Sequence, residues 1–122
     1  MKTLLVVLGL ATTVSAAPQT IEYVKEPETI VELHPALKRV CACESVGNPD
    51  REPVHSINGE VIRGKINPQD IGICQINLYY HEAAAMSQGL NLFIEEDNIT
   101  YANGLYEREG LRPWNPSRHC WD

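Results

Sequence analysis

Four cysteines in a chain of 122 residues, Cys41, Cys43, Cys74 and Cys120, constrain the fold more than any other feature. What they do depends on compartment, and the first residues speak to that. Met1 to Ala16 read as a secretory signal peptide, with Lys2, an apolar core from Leu4 to Leu10 and the small-residue site Val14-Ser15-Ala16. The apolar run is too short to cross a bilayer and Thr12 and Thr13 interrupt it, so no stable membrane insertion is expected after cleavage. In an oxidising compartment thiols pair, and two disulfides are the default. Each would close a long loop and stabilise a small domain by about 2–4 kcal/mol. Spacing alone allows three pairings. A zinc site using Cys41, Cys43, Cys120 and His119 is the rival, but the Cys-x-Cys spacing matches structural zinc sites only loosely. No metal or cofactor is expected.

The length fits one domain, and a net charge of -6 offers no footprint for nucleic acid. After the signal at 1–16, residues 17–33 carry Pro18, Pro27 and charges that alternate with β-branched residues; they read as a linker to a domain at 34–122. From Pro35 the spacing of Ala36, Leu37, Val40, Cys41 and Glu44 predicts a helix, with proline in its first turn and Gly47 as a left-handed cap. Between Pro53 and Asn77 the character is strand-like. Val54 to Ile57, the pair Asn58-Gly59 and Glu60 to Arg63 predict a hairpin in a sheet of two or three strands. Asn77 then caps a helix through Leu78, His81, Ala84, Ala85 and Met86 that stops at Gly89. A further helix runs from about Asn98 to Glu109, and the tail from Leu111 to Asp122 holds a last helical turn. The fold class is α+β, mainly α, with a small β-hairpin inserted between helices.

Two carboxylates stand out in this frame. Glu44 lies near a helix C-terminus, where the macrodipole disfavours ionisation and apolar neighbours would raise its pKa further. Asp70, in the run DIGICQIN from Asp70 to Asn77, sits beside polar groups that favour its charge. Taken singly, the first is an ordinary solvated helix-end glutamate and the second a turn residue after Pro68. Together they form the two-acid layout that cleavage of a glycosidic bond requires, one acid kept protonated and one kept charged. Within the run Gly72 permits close approach of a backbone or ligand, and Gln75 and Asn77 present amides from one face of an alternating stretch. Amides beside carboxylates suit sugar hydroxyls and acetamido groups, which need donors and acceptors.

Cys43-Glu44-Ser45, the DIGICQIN run, Asn98-Ile99 with Tyr101-Ala102, and Arg112-Pro113-Trp114 up to Cys120-Trp121 resemble, in this order, the lysozyme-like superfamily. Within it the likeness is greatest to lytic transglycosylase domains of the SLT type, while DIGICQIN is also similar to the Asp-x-Gly-x-x-Gln-Ile-Asn stretch of animal-type lysozymes. It covers Pro35 to Trp121. The resemblance implies a lysozyme-like fold, Glu44 as catalytic acid and, in a transglycosylase, also base. It implies Asp70 as the second carboxylate of the animal-type enzymes and matches Gln75 and Tyr101 to residues of the family's glycan cleft; Ser45 and Asn77 are expected as further substrate contacts. It pairs Cys43 with Cys120, and Cys74, where related chains often carry a large apolar residue, then pairs with Cys41.

The expected partner is peptidoglycan or a related amino-sugar glycan, cleaved by a secreted, periplasmic or cell-wall-associated monomer. A transglycosylase outcome is slightly favoured over hydrolysis, and a non-catalytic glycan-binding module is the reading from another class. The acidic charge departs from the basic character of many lysozymes. Trp114 and Trp121 read as core anchors rather than sugar platforms, and one of Tyr79 and Tyr80 is expected to pack inward. His81-Glu82 reads as a solvated pair, and His55 and His119 lack partners at metal spacing.

Overall fold

The computed structural model describes residues 30–122. The signal peptide expected over 1–16 and linker residues 17–29 lie outside the described residues. Helix α1, Pro35–Val46, begins with proline in its first turn and with the His34 ring accepting the Ala36 N–H. It ends at Gly47, whose φ of 69° closes the helix as a left-handed cap. Cys41 and Cys43 stand two residues apart, about 200° around the helix, and so face different neighbours. Cys41 bonds Cys74 and Cys43 bonds Cys120, the pairing that the resemblance implied. No thiolate remains for the zinc alternative. The loops closed span 33 and 77 residues, and by loop-closure entropy each bond stabilises the fold by about 4 kcal/mol.

The hairpin expected at Asn58-Gly59 forms, with β1 (Ser56–Ile57) antiparallel to β2 (Glu60–Val61). Both turn residues have positive φ, 54° and 82°, as a type I′ turn requires. A second hairpin follows, β3 (Asp70–Ile71) paired with β4 (Ile76–Asn77), and a single Arg63–Ile71 bridge joins the two. Among the described residues there are thus two hairpins where one was expected. GICQIN is also not an alternating strand: residues 72–75 form the turn of the second hairpin, with Gly72 at φ 80° and Gln75 at φ 52°. Strict alternation would send Ile73 and Cys74 to opposite faces, whereas the turn buries Ile71, Ile73, Cys74 and Ile76 together.

Helix α2, Leu78–Ser87, is capped by Asn77, whose side chain accepts the Tyr80 N–H. Helix α3, Glu95–Glu109, starts three residues earlier than expected, placing Glu95, Glu96 and Asp97 in its first turn, where negative charge complements the dipole. Asp97 also accepts the Asn91 N–H from the preceding loop. The tail forms a 3-10 helix, Arg112–Ser117, and then α4, Arg118–Trp121. Tyr79 and Tyr80 are both exposed, against expectation, and pack edge-to-face on each other at the solvent side of α2. Val31 and Leu33 pack on the core, and Asn103 of α3 holds this stretch by accepting the His34 N–H and donating to the Glu32 carbonyl. The packed body therefore reaches back to Val31.

All layers meet at the 72–75 turn. Asn98 of α3, fully buried, accepts the Cys74 N–H and donates to the Ile71 and Leu92 carbonyls. Buried His55 accepts the Ile73 N–H at Nδ1, which leaves Nε2 as the protonated nitrogen that donates to the Phe93 carbonyl. The Trp114 indole N–H donates to the Cys74 carbonyl at 3.0 Å. Among the described residues no buried side-chain polar atom lacks a partner, so the clamp avoids the cost of buried, unmatched polar groups. It leaves no room at Gly72, where a Cβ would come within 2.5 Å of Asn98 Nδ2 and 2.6 Å of His55 Cε1.

Gly72→Ala is expected to cost about 3 kcal/mol, combining a left-handed conformation with overpacking. Gly47→Ala, at a similar φ but facing open space, should cost only about 1–2 kcal/mol. Denaturant unfolding of both variants separates the two contributions. Equal losses would mean that the turn is not clamped.

Candidate active site

Glu44 stands in the last turn of α1 and Asp70 opens β3, and both line one cleft of about 190 Å³. Its other walls come from several elements: Gln75, Ile76 and Asn77 from the second hairpin, His81 from α2, Leu105 from α3, and Pro113, Trp114 and Pro116 from the 3-10 helix. Two larger hollows lie elsewhere. One, of about 510 Å³ between residues 32–38 and α3, is lined by Glu32 and Glu107, both exposed. The other, about 320 Å³ beside Met86 and Phe93, is mainly apolar and holds one acid, Glu82.

Burial holds the half-buried Glu44 carboxyl above the ordinary glutamate range. The hydrogen bond donated by Ser117 Oγ at 2.5 Å opposes this, and the negative charge of Asp70 adds to it. The direction matches the reading from sequence, but the leading cause is desolvation within the cleft rather than the helix dipole. Asp70 is held by its cross-strand partner: the two residues are in register, and Asn77 Nδ2 donates to Asp70 Oδ1 at 2.8 Å. One carboxyl is thus disposed to keep its proton, while the other is oriented by a hydrogen bond from a neighbouring amide.

The remaining expected contacts divide. Asn77 lines the cleft, but its amide orients Asp70 with one end and caps α2 with the other. Gln75 also lines it, and its amide nitrogen donates to the Gly72 and Ile62 carbonyls, which fixes the turn. Ser45 is not among the lining residues. Its hydroxyl donates to the Cys41 carbonyl and accepts the Val54 N–H, tying α1 to the loop before β1. Tyr101, 3% exposed, stands behind His81, with its hydroxyl 2.8 Å from His81 Nδ1. His81 is therefore a wall of the cleft and not a solvated residue beside Glu82. Burial lowers its pKa, Glu109 partly opposing and Arg108 adding, so it is neutral at neutral pH.

Trp114 is the core anchor expected of it, and it also lines the cleft. Ser117 was not singled out in the sequence, and no local pattern marks it. His81 was legible, since it lies four residues after Asn77 and so on the same helical face. Among the described residues no three histidine, cysteine or carboxylate side chains are grouped to hold a metal ion. Comparison with family models, with curated proteins and with solved structures finds no match.

A carboxyl raised by folding makes the protein less stable as pH climbs from the ordinary glutamate range through the raised value, because the unfolded chain releases its proton first. Glu44→Gln should therefore raise the melting temperature at pH 7 and leave it nearly unchanged at acid pH, below about 4. Thermal melts at the two pH values check this. A variant no more stable at pH 7 would show the carboxylate to be well hydrated.

Proposed function

We propose that the chain is a secreted glycan-cleaving enzyme with a lysozyme-like fold, acting on peptidoglycan or a related amino-sugar polymer. The observation that carries this reading is one cleft containing two carboxyls in opposite settings, Glu44 desolvated and Asp70 bonded to Asn77. Glu44 gives its proton to the bridging oxygen as the C1–O bond breaks, and Asp70 stabilises the cationic sugar that forms. Water then attacks C1, its proton returns to Glu44, and the product has a free reducing end. The sequence leaned towards intramolecular attack by a muramyl hydroxyl, with Glu44 as the base and an anhydro-sugar as the product. That course needs no second carboxylate, and the position of Asp70 in the cleft favours hydrolysis instead.

Two disulfides support an oxidising destination, and among the described residues no helix is long and apolar enough to cross a membrane. The two crosslinks also suit an enzyme exposed to conditions outside the cell, since they stabilise a small core.

Mass spectrometry of soluble products from purified peptidoglycan tests the proposal, since hydrolytic and anhydro products differ by one water. Glu44→Gln should lower the rate about 100-fold or more, and Asp70→Asn should lower hydrolysis by a similar factor. Full cleavage by Glu44→Gln would remove its role as acid. Anhydro products, unaffected by Asp70→Asn, would return the reading to a transglycosylase. Binding without release of soluble sugars would make the chain a glycan-binding module.

A further inference from the structure

We propose that Ser117 is a positioning residue for Glu44, a hydroxyl that reverses its hydrogen bonds each time the acid gives up and regains its proton. The geometry is that of a four-atom junction: Ser117 Oγ lies 2.5 Å from Glu44 Oε1, 3.0 Å from the Trp114 carbonyl and 3.1 Å from the Trp121 indole nitrogen. A hydroxyl has one hydrogen to give and two lone pairs to fill. The Trp121 N–H can only donate and the Trp114 carbonyl can only accept, whereas Glu44 can do either according to its protonation. When Glu44 carries its proton, it donates to Ser117 Oγ, which also accepts from Trp121 and gives its own hydrogen to Trp114. Every atom of the junction is then satisfied. When Glu44 has lost its proton it can only accept, and one rotation about the Ser117 C–O bond turns the hydroxyl hydrogen from Trp114 to the new carboxylate.

This matters because Glu44 is half-buried and burial disfavours its charged form. A carboxylate created there without a donor would be costly, and a charge-assisted hydrogen bond is the strongest that a neutral side chain can offer. The junction is also held in place covalently. Glu44 follows Cys43 directly and Ser117 precedes Cys120 by one helical turn, so the Cys43–Cys120 bond staples the two sides together. The other titratable groups facing Glu44 are Asp70 from β3 and His81 from α2. On α4, Arg118 pairs with Asp122 and His119 is exposed, and at the start of the 3-10 helix Arg112 pairs with Glu109. Among the described residues, Glu44 is the one titratable side chain hydrogen-bonded to the Ser117 hydroxyl.

The inference rests on the proposed function only for its effect on rate, and two measurements read the junction without substrate. In the oxidised wild-type protein, the indole N–H signal of Trp121 should shift with pH at the titration midpoint of Glu44, followed by carboxyl carbon NMR. The signal of Trp114, which donates to the Cys74 carbonyl, should not follow it. Trp121→Phe assigns the signals. In Ser117→Ala the Glu44 midpoint should move to higher pH, and Ser117→Thr, which keeps the hydroxyl, should restore it. If wall cleavage is confirmed, its rate in Ser117→Ala should fall about tenfold or more. The alkaline limb of its pH profile should move up, because the acid must be protonated to act. A Trp121 signal that stays flat through the Glu44 titration overturns the proposal, as does an unchanged midpoint in Ser117→Ala. A protein that leaves peptidoglycan intact yet shows both NMR effects would refute the proposed function and leave the junction standing.

Discussion

The buried turn between β3 and β4 is the constraint on which the rest of the molecule depends. Four elements that are remote in sequence converge on it: α1 through the Cys41–Cys74 bond, the loop before β1 through His55, α3 through Asn98 and the 3-10 helix through Trp114. Each satisfies a backbone group or closes a crosslink that would otherwise be missing, so the turn cannot shift without breaking several of them at once. A small domain gains little from apolar burial alone. Here polar matching inside the core, with a disulfide beside it, fixes the relative positions of hairpin and helices. Glycine at position 72 follows from this, because only a residue without a side chain fits between Asn98 and His55.

The same turn sets the chemistry of the cleft. Its two flanking strands place Asp70 opposite Asn77, and Asn77 in turn starts α2, which carries His81 into the wall. One amide therefore couples the orientation of a carboxylate to the start of a helix. On the far side, the second disulfide holds α4, which directly follows the 3-10 helix, against α1 beside Glu44, where burial disfavours the carboxylate. The contrast between the two acids comes from what surrounds them and not from their residue types. Most polar side chains around them are occupied with backbone or with each other, which holds the carboxyls in place.

Much of the architecture was readable in the chain because it is local. Pro35 and Gly47 mark the ends of α1, Asn58-Gly59 marks a hairpin and Asn77 caps α2, each through a conformational preference of the residue itself. Where local preference was weak, the reading failed. GICQIN has the apolar composition of a buried strand, and contacts from distant positions, those of Asn98, His55, Trp114 and Cys41, hold its middle as a bend. The first turn of α3 was missed because Ile94, the residue before it, offers no side-chain cap. Tyr79 and Tyr80 were expected to bury a ring, but the face of α2 that packs is set by Ala85 and the cleft.

The sequence by itself determined which residues carry charge and which positions turn, since residue type and short-range geometry travel with the chain. Tertiary structure alone decided the environment of Glu44 and Asp70, because desolvation and hydrogen bonding depend on atoms brought in from distant positions. Ser117 is 73 residues from the carboxyl it touches, and Tyr101 is 20 from His81. No periodicity encodes such pairs. They exist because two crosslinks and one clamped turn bring distant parts of the chain together.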